Sequence, residues 1–131
     1  MNDRYLFRGK DISGKWHYGD AEWFSDDFVK ITKHKELEHG KQVIPETVGQ
    51  CTGLKYKDDK LMFEGDIARD EQSGYYYFIK WFPEYAGFAL ADRNGEIAFG
   101  VEELEMFLDD LIVVGNIYDN SIEELRLRDE N

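Results

Sequence analysis

The stretch from Thr47 to Ile67, TVGQCTGLKYKDDKLMFEGDI, constrains the fold of this chain more than any other part of the sequence. Glycine, small polar and apolar residues alternate in it with a period of two, which is typical of a β-strand with one buried face. Glycines on one face of such a strand allow a bulge or a close approach of another backbone. The stretch is too polar for a helix and too regular for a linker, so it predicts a compact β domain.

Similar period-two patterns recur on both sides of this stretch. Alternating residues around Ser13-Gly14 predict an N-terminal β-hairpin, and Asn94-Gly95 predicts a tight turn with two positive backbone torsions. The aromatic and β-branched segment from Tyr75 to Trp81 predicts a long strand. Residues 33–41 are polar and predict a surface loop. We find no internal repeat, and the simplest topology for these strands is a meander within a mainly β fold.

Helical signals occur only near the end of the chain. Ser121 and Glu124 have the spacing of a capping box, which predicts a short C-terminal helix after a strand over Leu111 to Tyr118. Five apolar residues before that helix recur at helical spacing. They are Val101, Leu104, Phe107, Leu108 and Leu111.

The charge of the chain is strongly negative and unevenly distributed. The formal net charge is −12; residues 1–60 hold 11 basic and 11 acidic side chains, whereas residues 61–131 hold 5 and 17. Binding to nucleic-acid phosphates requires a basic footprint, so this composition disfavours direct nucleic-acid binding. A local basic patch remains compatible with it.

Cysteine content and hydropathy indicate the compartment. Cys51 is the single cysteine, so no intramolecular disulfide can form, and a reducing cytoplasm fits best. Its place in a strand pattern favours a small buried apolar residue over a reactive thiol. No stretch approaches the roughly 18 apolar residues that cross a bilayer. The N-terminus also lacks the apolar segment of a secretion signal, and we therefore expect a cytoplasmic protein without membrane association.

Catalytic and metal-binding signatures are weak. No nucleophile elbow, phosphate-binding loop or dinucleotide motif occurs in the chain. His17, His34 and His39 lack the spacing of zinc ligands and are expected at the surface. Four carboxylates could in principle hold Mg²⁺ for a nuclease, although turn formation and solvation explain them as well: Asp58, Asp59, Glu64 and Asp66. The sequence predicts no catalytic residue, no metal and no cofactor.

Five ordered blocks resemble the YopX family, small proteins encoded by bacteriophages and prophages of low-GC Gram-positive bacteria. The blocks are FRGK at Phe7 to Lys10, Gly14-Lys15-Trp16 with Tyr18-Gly19, PETVGQCTGLK at Pro45 to Lys55, FEGDI at Phe63 to Ile67 and VVGNIYDN at Val113 to Asn120. The resemblance spans nearly the whole chain. It implies a β-rich fold with SH3-like barrel character, and it implies an origin but no reaction. The family has an Asn-Gly type of turn where this chain has Asp58-Asp59, and two aspartates accept positive torsions less readily.

Patterns and resemblance together predict one compact unit with three parts. An N-terminal β-hairpin and meander lobe covers residues 1–46, an SH3-like β-barrel covers residues 47–120, and a short helix with a tail covers residues 121–131.

The positions within the family motifs have two interpretations. Polar side chains around Thr47 could face a ligand, or they could satisfy buried backbone groups around glycine bends. Arg8 could contact an anionic partner, or it could pair with Asp66 or Glu64. We predict a structural role for these motif positions: Arg8, Gly9, Thr47, Gly49, Gln50, Thr52, Gly53, Gly65, Asp66, Gly115 and Asn116.

The aromatic segment supplies the candidate interaction surface. A strand of alternating aromatic residues directs some rings outward while its other face fills the core. The outward rings could bind a partner chain, or they could pack in the core and between subunits. The candidate partner-binding residues are Tyr75, Tyr77, Trp81, Phe82 and Tyr85.

The residue patterns predict a non-enzymatic binding protein, and the resemblance implies that it is an accessory protein of a phage or prophage. It would bind another protein and form a homo-oligomer in the cytoplasm of the bacterial host. One alternative is that the acidic half mimics nucleic-acid charge and occupies a basic host protein. A less favoured alternative is a metal-dependent nuclease built on Asp66 and its neighbours.

Overall fold

The described part of the protein is mainly β, which confirms the fold class that the period-two patterns predict. The computed structural model describes residues 5–33 and 40–129. Residues 34–39 of the predicted loop lie outside the described residues. The elements, in chain order, are β1 (Phe7–Lys10), β2 (Trp16–Ser25), β3 (Phe28–Thr32), β4 (Lys41–Val43), β5 (Gly49–Lys55), β6 (Leu61–Phe63), β7 (Asp66–Asp70), β8 (Tyr76–Phe82), β9 (Gly87–Ala91), β10 (Ile97–Phe99), α1 (Val101–Met106), β11 (Leu111–Asn116) and α2 (Ile122–Asp129).

Contacts divide the chain into two compact units, Met1–Gly53 and Leu54–Asn131. The division falls within β5. The three parts predicted from the sequence, with boundaries after residues 46 and 120, stay a prediction. No closed barrel is found among the described residues.

The first unit is an antiparallel meander whose last strand returns to its first. Its strand order is β4-β3-β2-β1-β5. The long strand β2 pairs with β1 through residues 16–19 and with β3 through residues 20–25. Three buried residues form the core, and three partly buried residues pack against them: Val29, Ile31 and Val43, with Phe7, Ala21 and Val48.

The sheet of the first unit is curled. Its edge strand β4 reaches back to β1, because the backbone amide of Ile44 donates a hydrogen bond of 2.8 Å to the carbonyl of Lys10. A Cβ atom at Gly9 would lie 2.6 Å from Cγ2 of Val43. Only glycine therefore allows this approach, which gives a physical reason for the glycine in the FRGK block.

The second unit repeats the same strand order with different residues. Its sheet runs β10-β9-β8-β7-β11, again a four-stranded meander followed by a strand that returns to the first. α1 precedes the returning strand. The main core lies on one face of this sheet and contains Tyr56, Met62, Ala68, Tyr77, Ile79, Phe88, Leu90, Leu104 and Leu111. A smaller cluster contains Phe82, Ala89 and Ala91, with Phe78 against it. The two units share this strand order although the sequence contains no visible internal repeat.

The turns lie at the predicted positions, but the turn at Asn94-Gly95 has a different geometry from the one predicted. At the Asp58-Asp59 turn the amide of Tyr56 donates to the carbonyl of Lys60 at 2.9 Å, and Asp59 takes a positive φ of 71°. At Asn94-Gly95 only the glycine has a positive φ, of 82°. The prediction of two positive torsions is wrong there, because the Asp92 carboxylate accepts the backbone amides of Asn94 and Glu96 and closes a different turn.

The apolar spacing before the last strand spans three elements instead of one helix. α1 ends at Met106, residues Leu108–Asp110 form a 3₁₀ turn, and Leu111 begins β11. The backbone of Leu111 pairs with Asp70 of β7, which takes it out of any helix. The predicted C-terminal helix is confirmed, because Oγ of Ser121 accepts the amide of Glu124 at 3.1 Å.

Candidate functional site

The structure separates the five candidate aromatic residues into an exposed and a buried group. Tyr75, Trp81 and Tyr85 expose 66%, 36% and 60% of their surface. Tyr77 belongs to the main core of the second unit, and Phe82 belongs to the smaller cluster. Neither buried ring can contact a partner, so the candidate surface is corrected to the three exposed residues.

These three exposed rings do not form one patch. Tyr75 precedes β8 and Trp81 lies near its end, a separation of about 20 Å at roughly 3.3 Å per residue. Trp81 packs edge-on against Phe88 with ring centroids 5.0 Å apart. Tyr85 follows in the 3₁₀ turn Pro83–Tyr85. One end of β8 thus carries Trp81 and Tyr85, and the other end carries Tyr75.

A cleft of about 340 Å³ adjoins Tyr75 and α2. Arg93 and Arg126 line it, but both guanidinium groups contact the carboxylate of Glu123, at 2.6 and 3.1 Å. Asp92 also lines the cleft, so two carboxylates balance the two positive charges, and the cleft is a weak site for an anion.

The helix α2 is attached to the sheet by one apolar side chain and several polar contacts. Leu125 is buried, and its carbonyl accepts the Tyr76 hydroxyl at 3.3 Å. The same hydroxyl donates to the Asp129 carboxylate, which also pairs with Nε of Arg69 at 3.1 Å. Burial raises the pKa of Tyr76, and the hydrogen bond to Asp129 raises the pKa further.

A second group of exposed aromatic residues lies at the hairpin between β2 and β3. We call it the aromatic tip: Trp23, Phe24 and Phe28, which expose 50%, 53% and 36% of their surface. The rings of Phe24 and Phe28 are 4.9 Å apart, and the Lys30 ammonium group lies 5.8 and 5.6 Å from their centroids. All residues from Glu22 to Phe28 are exposed.

The aromatic tip is not among the residues predicted from the sequence to bind a partner, although the sequence contains a signal for it. Trp23 and Phe24 are adjacent in a strand, and neighbouring side chains of a strand point to opposite faces. A hairpin end with one covered face cannot bury both rings. Adjacent aromatic residues beside the Ser25-Asp26-Asp27 turn therefore indicate that at least one ring is exposed.

The motif positions of the first unit serve the fold in the structure. Arg8 is buried, and its guanidinium carbon lies 5.0 Å from the centroid of the Trp16 ring. Oγ1 of Thr47 accepts the amide of Lys10 at 2.9 Å and donates to the carbonyl of Ile44 at 2.6 Å. Gly49 and Gln50 pair with β1, Thr52 is buried, and Gly53 has a positive φ.

The motif positions of the second unit organise two bends. Oδ2 of the buried Asp66 accepts the amide of Phe63 and the hydroxyl of Tyr56, both at 2.8 Å, beside Gly65 with its φ of 91°. Oδ1 of Asn116 accepts the amides of Tyr118 and Asp119 at 3.0 Å. A Cβ atom at Gly115 would overlap with the side chain of Asn120. These positions shape turns in the structure.

The surroundings of His17 and Cys51 are not those of metal ligands. Nε2 of His17 lies 2.7 Å from Oδ2 of Asp11, and this hydrogen bond, with those from Ser13 and Lys15, lowers the pKa of Asp11 below its usual range. His34 and His39 lie outside the described residues. Within residues 5–33 and 40–129, no group of three or more His, Cys, Asp or Glu side chains could hold a metal ion. Cys51 is fully buried, as its strand pattern predicts.

A comparison of the sequence with known protein families gives a match that contains the five sequence blocks. The family described as "YopX protein" matches residues 6–123, which is most of the chain. The chain belongs to the YopX family. No curated protein matches this YopX-family chain. Among its described residues, no helix combines the length and the apolar character needed to cross a membrane.

Proposed function

We propose that this YopX-family chain is a non-enzymatic accessory protein of a phage or prophage. It acts in the cytoplasm of the bacterial host by binding protein, and it self-associates as a homo-oligomer. The observation that carries this proposal is the aromatic tip, where three large rings at one hairpin end are left exposed. Two of these rings, Phe24 and Phe28, lie together with centroids 4.9 Å apart, and exposed aromatic residues that lie together are typical of protein interfaces.

The charges around the aromatic tip favour a second copy of the chain as its partner. Asp26 and Asp27 form the turn, and Lys30 lies above the rings of Phe24 and Phe28. A two-fold symmetric interface places the same surface on both subunits. In such an interface the Asp26 and Asp27 carboxylates of one copy can approach Lys30 of the other. A surface with both charge signs beside apolar rings is self-complementary in this way.

The strand order of both units supports the SH3-like part of the prediction. In each unit the fifth strand returns beside the first, and a short helical turn precedes that strand: Pro45–Thr47 before β5, and α1 with Leu108–Asp110 before β11. This order is the one of an SH3-like barrel. We propose that each unit is a variant of that arrangement.

Replacement of Trp23 and Phe24 by alanine tests the proposed function. Truncation of a central interface aromatic costs about 2 kcal/mol or more, which weakens association roughly thirtyfold. We therefore expect the double variant to sediment as a smaller species than the parent at the same concentration. The thermal unfolding midpoint should change little, because both side chains are exposed.

A matched control replaces the other exposed aromatic pair, Trp81 and Tyr85, by alanine. If the aromatic tip mediates association, this control keeps the oligomeric mass of the parent. A parent that is monomeric throughout, or a Trp23 and Phe24 variant with unchanged mass, contradicts the proposal. Loss of association in the control alone would instead assign the interface to the end of β8.

The charge of the second unit supports one other candidate function, the mimicry of nucleic acid. Residues 54–131 hold 8 basic and 19 acidic side chains, a net charge of −11, whereas residues 1–53 hold 8 and 9. A surface of this kind could occupy the nucleic-acid site of a basic host protein.

A further inference from the structure

The helix α2 depends on the sheet of the second unit for its structure. Helices shorter than about 12 residues are marginal in water, and α2 comprises only Ile122–Asp129. Within this helix, which the structure describes completely, only Leu125 is buried. One buried leucine favours the docked helix over the detached one by about ten- to a hundredfold. The helix is therefore held on the sheet more weakly than a core strand is.

The surface under α2 matches the charges at both ends of this helix. Oε1 of Glu123, in the first turn, lies 2.6 Å from Nη1 of Arg93. The Asp129 carboxylate, in the last turn, lies 3.1 Å from Nε of Arg69. The Tyr76 hydroxyl donates to this carboxylate and to a backbone carbonyl in the middle of the helix. We call Arg69, Tyr76 and Arg93 the α2 site, and the segment that matches it is α2, from the same or from another copy of the chain.

The packing of α2 against the sheet leaves open space. Two clefts, of about 340 and 550 Å³, border the first turn of the helix. Both adjoin the contact between Arg93 and Glu123, because these two residues and Ile122 line each of them. A closely packed interior leaves few spaces of this size. The helix can therefore leave its site without disrupting a packed core around it.

The link between β11 and α2 is a turn that one residue holds closed. Residues 117–121 lie between the two elements, and we call them the hinge. Oδ1 of Asn116 accepts the amides of Tyr118 and Asp119, both at 3.0 Å. The carbonyl of Asn116 accepts the amide of Asn120 at 2.9 Å. These hydrogen bonds fold the hinge back, so that α2 lies on the sheet of its own chain.

The sequence of the hinge favours a second, extended conformation. The apolar and β-branched pattern predicts a strand from Leu111 to Tyr118, whereas in the structure β11 ends at Asn116. A local preference that disagrees with the observed turn indicates a segment with two accessible conformations. Five extended residues span about 17 Å, which is enough to carry α2 away from its own sheet.

We propose that two copies of the chain exchange α2, so that each helix occupies the α2 site of the other copy. This interface goes beyond the aromatic tip and is independent of it. Every contact between α2 and the sheet recurs in the exchanged dimer, and only contacts within the hinge are lost. A helix tethered to its own sheet has an effective concentration in the millimolar range. The closed monomer therefore predominates in dilute solution, and the exchanged dimer forms as the chain concentration approaches that range.

Two full-length chains with reversed charges test the exchange when they are mixed. One carries Arg69→Glu with Arg93→Glu, and the other carries Glu123→Arg with Asp129→Arg. In each chain alone the α2 site repels its own helix. In a mixed dimer with exchanged helices, both sites face a helix of opposite charge. We expect the mixture to associate at least about tenfold more strongly than either chain alone, measured by sedimentation equilibrium.

The background and a matched control make this result specific. All chains also carry Trp23→Ala and Phe24→Ala, and we call this background the tip variant, because it removes the proposed contact of the aromatic tip. Both reversed chains remain net negative, so overall charge does not draw them together. The control pair makes the same charge changes outside the α2 site and should not form a mixed dimer: Lys55→Glu with Lys60→Glu in one chain, and Glu105→Arg with Asp109→Arg in the other.

A shortened hinge tests the same exchange without any change of charge at the α2 site. Deletion of Asp119 and Asn120 from the tip variant should prevent α2 from returning to its own sheet. We expect this chain to be a dimer at concentrations where the tip variant with the full hinge is a monomer. Addition of Leu125→Asp removes the buried side chain of α2 and should restore the monomer.

Three results would overturn the exchange of α2. They are reversed chains that stay separate when mixed, a folded chain with the shortened hinge that stays monomeric, and a dimer of that chain that persists with Leu125→Asp. Thermal unfolding shows whether each chain is folded, and the mixing experiment decides the question if the shortened chain is not. Because every chain lacks the tip contact, failure here leaves the interface proposed for the aromatic tip unaffected.

Discussion

Asp66 combines burial with two hydrogen bonds at a bend of the second unit. Its Oδ2 atom accepts from the Phe63 amide and the Tyr56 hydroxyl, and the side chain is almost fully buried. The substitution Asp66→Ala removes this acceptor from two buried donors, the Phe63 amide and the Tyr56 hydroxyl. We expect a loss of about 2 to 4 kcal/mol in the free energy of unfolding, measured by urea denaturation.

Asp92→Ala is the matched control for this prediction. Asp92 also accepts two backbone amides, those of Asn94 and Glu96, but it is only partly buried and water can replace its oxygen. Its removal should cost about 1 kcal/mol or less. Equal losses for both aspartates would show that burial does not determine the contribution of Asp66.

The attachment of α2 depends on an ionisable hydroxyl group. Burial and the Asp129 carboxylate raise the pKa of Tyr76, so the folded state binds this proton more tightly than the unfolded state. The resulting stability is fully present below the ordinary tyrosine pKa of about 10 and is lost as pH rises through the raised value. A phenolate at Tyr76 would also repel Asp129.

We therefore expect stability to decline in alkaline solution above about pH 10, followed as the thermal unfolding midpoint at increasing pH. Tyr76→Phe removes the ionisable group and should make this decline shallower. Part of the decline should remain, because burial also raises the pKa of Tyr77. An identical alkaline decline in parent and variant would contradict a role for Tyr76.

The uneven charge of the whole molecule gives the mimicry hypothesis its own test. If the second unit occupies basic host proteins, partners captured from host lysate on the immobilised chain should elute as salt rises, because ionic strength screens such contacts. Glu105→Lys with Asp109→Lys should reduce this capture. Asp20→Lys with Glu46→Lys changes the charge of the first unit equally and should not. Partners held equally well at high salt exclude mimicry.

The local features of the chain were readable from its residues. Alternation around Ser13-Gly14, Asp58-Asp59 and Asn94-Gly95 predicted strands and turns where the structure has them. The Ser121 cap of α2 was predicted in the same way. Strand alternation, turn chemistry and helix capping act over a few neighbouring residues, so a single sequence carries them. The family blocks added the assignment to YopX.

Which face of each strand is buried depends on residues that are distant in the chain. Tyr77 and Phe82 are buried, whereas Trp23 and Phe24 are exposed, although all four lie in aromatic strand segments. The common strand order of the two units likewise arises from pairings between separate segments. Alternation states that a strand has two faces, but only the packing of the whole unit determines which face meets water.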